Sequence, residues 1–198
     1  MQTFRSLGSQ PMLLPAPAVL VGTYIKDRQP DVMTAAWCGI TSSFPPTISV
    51  SVKKTRMTLS GILENKAFTV CIPSADMAAQ TDYAGLVSGE RENKFVSLGW
   101  TPAVAENVDA PYVAECPVVI ELALMQTVDL GSHVQCIGEV MDVKVREDCL
   151  SADGLPDASR IDPLLFVPGI REYRRFGGKV AKAFSVGRTY APFSQSGA

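Results

Sequence analysis

Three cations and two hydroxyls stand together at Lys53-Lys54-Thr55-Arg56-Met57-Thr58, after an alternating apolar stretch and before a helical pattern. A helix start carries unpaired N–H groups and positive partial charge, so this cluster suits a phosphate, with charge-assisted bonds from Lys53, Lys54 or Arg56. From physics alone the same residues more readily describe a solvated, capped helix start. His133, the only imidazole of the chain, follows Gly131-Ser132. A tight turn there aims it at a ligand, as a hydrogen-bond donor rather than an acid or base. Trp37 sits in a strand pattern and reads as core or as a cofactor wall. Cys38 beside it has no adjacent resolving cysteine and reads as a small buried residue. Lys94, on a polar loop after Arg91-Glu92-Asn93, reads as an exposed lysine. Phe166 lies in the apolar run 164–167 and suits either a core or ring stacking.

Other chemistries are excluded by what the sequence lacks. The five cysteines form no CxxC, and with a single histidine no zinc site is expected. The odd count reads as free thiols in a reducing compartment. There is no GxGxxG after a strand, no Walker phosphate loop and no GxSxG elbow. With net charge −2, 46% apolar and 19% charged residues, the chain reads as ordinary globular material. Arg171, Arg174, Arg175, Lys179 and Lys182 read as a wet helix face, and no nucleic-acid partner is expected. The longest apolar stretch is interrupted by Glu121, and residues 11–25 are broken by Pro11, Pro15 and Pro17. Neither a membrane span nor a signal segment is expected, which places the protein in the cytoplasm. The 198 residues fit one domain, 1–198.

The elements that must position these residues are mostly strands. Period-2 alternation marks Ala18–Ile25, Thr47–Lys53, Ala67–Ile72, Val118–Met125 and Met141–Val145, with a phase slip near Gly138 that predicts a bulge. Glu121 falls on the face opposite Val118, Ile120, Leu122 and Leu124. DRQP is a turn and Pro45-Pro46 a corner between strands. Helices are predicted from Thr55 or Thr58 to Asn65, with Leu59, Ile62 and Leu63 inward. A second runs from a Ser74 cap to about Val87, with Met77, Thr81, Ala84 and Leu86 inward, and a third covers Ile170–Phe176. The segment after Tyr190 reads as a fraying or partner-contacting end. This pattern predicts a mainly β protein, a β-barrel with helical insertions, and argues against a doubly wound sheet.

Several short motifs in order then resemble the flavoredoxins of the flavin reductase-like family. They are Asp31-x-Met-Thr-Ala-Ala-Trp37, Pro45-Pro46, Ser49-x-Ser51, the Lys-Lys-x-x-x-Thr58 helix start and Phe68-x-Val-x-Ile-Pro73-Ser74. Glu92-Asn93-Lys94-Phe95, Gly131-Ser132-His133 and Leu165-Phe166-Val167-Pro168-Gly169 follow, so the likeness runs from about Leu14 to Tyr190. It implies an FMN-binding split barrel, Greek-key-like, that works as a homodimer. Tyr173, Phe176, Phe184, Tyr190 and Phe193 give the dimer mild support from composition.

The resemblance implies that Thr34, Ala35, Ala36 and Trp37 lie along the flavin. Ser49, Val50 and Ser51 present main-chain and hydroxyl groups to its ring and ribityl chain. Lys54 and Thr58 hold its phosphate, while Lys94, His133 and Phe166 close around it. Asp31 departs from a pattern that more often has Asn. It either accepts a flavin N–H and adds negative charge that disfavours the reduced anion, or caps the turn. The implied function is an FMN electron carrier exchanging electrons with a redox partner protein. An NAD(P)H-dependent flavin reductase and a non-catalytic flavin-binding module are the alternatives. The Lys-Lys-x-x-x-Thr form with Lys94 and His133 leans to the flavoredoxin side.

Overall fold

Alternating apolar residues become strands through most of the chain. The computed structural model describes residues 2–189. In chain order it contains β1 (Ala16–Pro17), β2 (Val19–Tyr24), β3 (Pro30–Ala35), β4 (Cys38–Ser43), β5 (Pro46–Lys53), α1 (Met57–Asn65), β6 (Ala67–Ile72), α2 (Ala78–Leu86) and α3 (Lys94–Leu98). These are followed by β7 (Pro102–Val104), β8 (Pro111–Val113), β9 (Val118–Asp129), β10 (His133–Val145), α4 (Ala158–Ile161), β11 (Leu165–Val167) and β12 (Glu172–Arg174).

Seven strands pair antiparallel in the order β3-β2-β6-β9-β10-β5-β4. Six steps of about 4.8 Å would hold the ends of a flat sheet of this width roughly 29 Å apart. Yet β3 ends at Ala35 and β4 begins at Cys38, so only Ala36 and Trp37 join the two outermost strands. Such a link spans at most about 11 Å. The sheet must therefore curl into a barrel, and its seam lies at Ala36-Trp37.

The barrel interior takes one face of each strand, with Val21, Val50, Val52, Phe68, Val70, Leu122 and Cys136 buried there. On β2, β6 and β9 the other face is buried too. Leu20, Cys71 and Val119 pack there with Ala84, Phe95, Trp100 and Val113, from α2, α3, the segment after α3, and β8. The bulge predicted near Gly138 is present, with the β9–β10 register shifting between Ile137 and Gly138. A Cβ at Gly138 would lie 2.9 Å from the Phe68 ring and 3.0 Å from Leu122, so only glycine admits this close approach.

Several expectations are corrected. No helix covers Ile170–Phe176; β11 and β12 form a hairpin there. Pro168-Gly169 opens a turn in which Gly169 (φ 89°) and Arg171 (φ 57°) are left-handed, which a helix forbids. Lys94 is not on an exposed loop: it begins α3, whose cap is Asn93, and its side chain is 2% exposed. Leu63 and Leu86 face outward. Ser74 makes no side-chain cap and precedes a 3₁₀ turn, Ala75–Met77, that leads into α2. Glu121 lies opposite Leu122 as its place in the alternation predicts, and it is fully buried. It accepts from the Asn107 N–H (2.8 Å), the Asn107 side-chain amide (3.1 Å) and the Glu106 N–H (3.1 Å), and Lys144 Nζ is 2.8 Å away. It thus latches the β7–β8 connection onto β9. The expectation for the segment after Tyr190, with Tyr190 and Phe193, lies outside the described residues.

Candidate functional site: the barrel seam

Three cavities, of about 360, 350 and 290 Å³, share walls along the seam. The first is lined by Thr34, Ala35, Ala36 and Phe166, together with Asp82, Gly85, Arg171 and Tyr173. The second lies between Trp37, Phe166 and the 10–12 segment. The third is lined by Ala36, Trp37, Cys38, Ser49, Ser51 and Gln135. They form one groove because Ala36, Trp37, Phe166 and Arg171 each border two of them.

The topology explains why these residues meet. Ala36 and Trp37 are the seam link itself. The Ser51 N–H donates to Trp37 O (2.9 Å), extending the β4–β5 ladder to the tryptophan. Ser49 and Ser51 alternate with Val50, which is fully buried in the barrel. The Gln135 amide donates to Ser49 Oγ (3.1 Å) from β10. Phe166 arrives on β11, which pairs with β1, and its ring lies 5.7 Å from that of Tyr173. Thr34 donates to Thr81 O of α2, and Gly85 packs so closely on Thr34 that a Cβ there would approach it to 3.1 Å. Burial pushes the Cys38 thiol up to about 12, so it stays protonated and unreactive at neutral pH. Burial and then the Asp82 carboxylate likewise raise the Tyr173 phenol to about 12, and its OH donates to Asp82 Oδ1 (3.0 Å).

Of the residues singled out from sequence, Thr34, Ala35, Ala36, Trp37, Ser49, Ser51 and Phe166 line this groove. Lys54 and His133 sit together at the far end of β5, where His133 pairs with Lys53 and the Lys54 N–H donates to Ser132 O (3.2 Å). Lys54 Nζ is 2.7 Å from Asp129 and holds that carboxyl below its usual range. Ser132 Oγ lies 2.8 Å from His133 Nδ1.

Asp31, Thr58 and Lys94 are brought together, but as a buried knot and not on a surface. Thr58 Oγ1 donates to Asp31 Oδ2 (2.5 Å), and Lys94 Nζ lies 3.1 Å from Asp31 Oδ1 and also donates to Val32 O. Their exposures are 3% for Asp31, 1% for Thr58 and 2% for Lys94. Gly89 closes the knot, since any side chain there would strike the Asp31 carboxylate. Arg56 donates to Gly85 O and Val87 O, tying the same turn to the start of α1. Burial pulls the Lys94 ammonium below its ordinary range despite the opposing pull of Asp31. The Thr58 hydroxyl is thus spent on Asp31 rather than offered beside Lys54.

Sequence reasoning missed Gln135, Asp82, Arg171 and Tyr173 as groove residues. Arg171 was folded into a basic helix face; the Pro-Gly turn signal before it was the clue that it tips a hairpin instead.

A family model described as flavin reductase like domain matches residues 12–176. The chain is 51% identical to a solved flavoredoxin of Desulfovibrio vulgaris (Miyazaki F), with a TM-score of 0.90 over 93% of this chain and 100% of that one. A flavoredoxin from Methanosarcina acetivorans superposes with a TM-score of 0.86 at 28% identity, covering 95% of this chain and 98% of that one. An uncharacterised protein of Archaeoglobus fulgidus is 33% identical over 130 residues, 66% of this chain and 72% of its own length.

Proposed function

The chain belongs to the flavin reductase-like domain family, and we propose that it is a flavoredoxin-like electron-transfer protein that holds FMN without a covalent bond in the seam groove. The observation that carries this reading is the groove itself. It combines an aromatic and small-residue wall (Ala36, Trp37, Phe166) with hydroxyl and amide donors (Ser49, Ser51, Gln135) on neighbouring strands. The donor set fits a flavin: a flat apolar face for the rings, then a polar row for a hydroxylated chain. From Ser49 to Lys53 the strand advances about 13 Å, ending at the cations Lys53 and Lys54 beside His133. That end supplies charge for a phosphate, with Lys54 exchanging its Asp129 partner for it.

When bound, the cofactor supplies reversible electron uptake. The chain's own residues do the rest. Trp37 and Phe166 keep water off the ring, and Ser49 and Ser51 fix its orientation. Asp31, Thr58 and Lys94 act from beneath as positioning residues that hold β3, α1 and the 85–89 turn in register. Among the described residues lining the groove none is poised as nucleophile or general acid, and carrier chemistry requires none.

A homodimer is part of the proposal. Ile40 (82% exposed) on β4, Met125 on β9 and Met141 and Val143 on β10 are exposed apolar side chains, and Phe44 (94% exposed) projects from the β4–β5 turn. β4 is also an edge strand of the barrel sheet. Exposure of this kind favours a covering partner. A protein redox partner or NAD(P)H supplies the electrons, in the cytoplasm.

The test is FMN titration of the stripped protein and of Trp37→Ala, followed by anaerobic NADH and NADPH. Yellow protein with weakened binding in the variant is expected. Bleaching by a nucleotide would make the protein an NAD(P)H-dependent reductase. Flavin colour that persists until dithionite is added would leave a protein donor. Failure to bind FMN would overturn the proposal.

A further inference from the structure

We propose that Cys71 and Cys116 form a thiol redox site, which a small hydroperoxide converts to a disulfide that fastens the β8–β9 connection to β6. The site stands apart from the seam groove, whose walls include neither residue. It therefore holds whether or not flavin binds there.

All five cysteines are free thiols, and these are the two that meet. Cys71, on β6, and Cys116, in the connection between β8 and β9, are buried in one apolar cluster with Val113 and Val119. Cys71 pairs in register with Val119. The Cys116 N–H donates to Val113 O (3.1 Å), forming the turn that leads into β9, the neighbour of β6. The two thiols hydrogen-bond each other. That bond, and then burial, push the Cys116 thiol up, whereas the same bond outweighs burial and pulls the Cys71 thiol down. Cys71 is thus the sulfur that takes negative charge, and Cys116 holds the proton. The other cysteines have no such partner among the described residues. Cys38 and Cys136 are raised by burial alone, and the Cys149 thiol donates to Arg160 O (3.6 Å).

A cavity of about 170 Å³ gives the pair its reagent. It is lined by Cys116 and by Val119, the register partner of Cys71, with Lys144 and Arg146 as cationic walls. That volume is too small for an ordinary ligand site and suits a peroxide. The Cys71 thiolate attacks the outer oxygen of the hydroperoxide and the O–O bond breaks. Cys71 becomes a sulfenic acid, and the departing oxygen takes up the proton that Cys71 gave, leaving as an alcohol or, from hydrogen peroxide, as water. The Cys116 sulfur then attacks the Cys71 sulfur, the S–O bond breaks, and the hydroxyl leaves as water with the Cys116 proton. Together the thiols give up one electron pair, which the peroxide gains. The new bond adds to the Thr69 hydroxyl's hold on Pro111 O (2.7 Å), which already ties β8 to β6.

The test is hydrogen peroxide treatment of the whole protein as purified, then alkylation in denaturant and mass spectrometry. Of the five thiols, Cys71 and Cys116 alone are expected to escape alkylation. They should appear joined in one peptide pair, about 2 Da lighter than the two reduced peptides together, and dithiothreitol should restore both. The oxidised protein should unfold at higher urea than the reduced one, since the bond closes the chain between 71 and 116. Cys71→Ala and Cys116→Ala should each lose both the bond and that shift. If either variant fails to fold, the peptide pair in the parent still decides. Cumene hydroperoxide, too bulky for the cavity, should act more slowly than hydrogen peroxide once each is scaled to its rate with free cysteine. The proposal is overturned if both thiols stay alkylatable, if they oxidise to sulfinic acids or pair with other cysteines, or if the bond forms only in unfolded protein. An unchanged or lower urea midpoint would overturn the fastening of the β8–β9 connection, and equal scaled rates would overturn the cavity as the route.

Discussion

The buried knot under the groove makes a sharp prediction. Lys94 and Asp31 are 3.1 Å apart and nearly inaccessible, with Thr58 as the carboxylate's other donor. Lys94→Met removes the cation and leaves a carboxylate in a site that water does not reach. Breaking a buried pair in this way costs about 3–5 kcal/mol. The carboxyl can instead take up a proton, which at pH 7 costs an ordinary aspartic acid about 4 kcal/mol. That sets a ceiling, so the expected loss is about 3–4 kcal/mol. Proton uptake becomes easier in acid, so the deficit of the variant should shrink by about 1.4 kcal/mol per pH unit between pH 7 and 5. The sign follows from linkage: over that range the variant's native state binds more protons than its unfolded state, so its stability falls as pH rises.

The assay is urea unfolding of FMN-free protein at fixed protein concentration, at pH 5, 6 and 7, for the parent, Lys94→Met, Asp31→Asn and the double variant. The double variant carries no buried charge and should recover most of the loss. A deficit under about 1 kcal/mol, one that does not change with pH, or a double variant as unstable as the two single losses added together would refute the buried ion pair.

Three further outcomes follow from other parts of the fold. Burial pushes the Glu121 carboxyl up, but Lys144 and the N–H groups of Asn107 and Glu106 outweigh it and hold it below its ordinary value. Its contribution is therefore present above about pH 4.5 and lost as pH falls through the depressed native value. Glu121→Gln should cost about 1–3 kcal/mol at pH 7, with the gap closing in acid unfolding curves. Gly61→Ala sets two effects against each other. Alanine favours a helix by about 1 kcal/mol, but its Cβ would strike Tyr24 O and lie 2.6 Å from Thr23 Cγ2. Overpacking should win by about 1–2 kcal/mol, seen as a lower midpoint in thermal melts. Ile40→Asp should convert a dimer to a monomer by light scattering with little loss of monomer stability, and an unchanged mass would count against β4 as the interface.

Much of this fold is written locally. The alternation in Ala67–Ile72 and Thr47–Lys53 marks strands within a residue of their observed ends, because each has one face inside the barrel. Other features needed information the sequence holds only at long range. Asp31 and Lys94 are 63 positions apart, and an exposed lysine and a capping aspartate were reasonable readings of each alone. The partners of Glu121 were hidden because nothing near it in sequence shows that the β7–β8 connection will cover that face of β9. Two local signals were present and outweighed. Asn93 and Gly99 bracket α3 as cap and left-handed terminator. At 168–171, Pro-Gly was taken as a helix start although Glu172-Tyr173-Arg174 alternates as a strand does.

The groove residues were legible for a different reason: most of them lie on or beside one short link. Ala36 and Trp37 join strands at opposite ends of the sheet order, so closing the barrel and forming the groove are the same event. Ser49 and Ser51 come with it because β5 pairs with the strand that the link begins. Phe166, Arg171 and Tyr173 do not share that constraint. They reach the seam through a small separate sheet, β1-β11-β12, fastened to the barrel by the pairing of Ala16 with Phe166 and Pro17 with Leu165 and by the Ala18 N–H on Leu164 O. Changes in that hairpin can therefore reshape one wall of the seam groove without disturbing the barrel that forms the other.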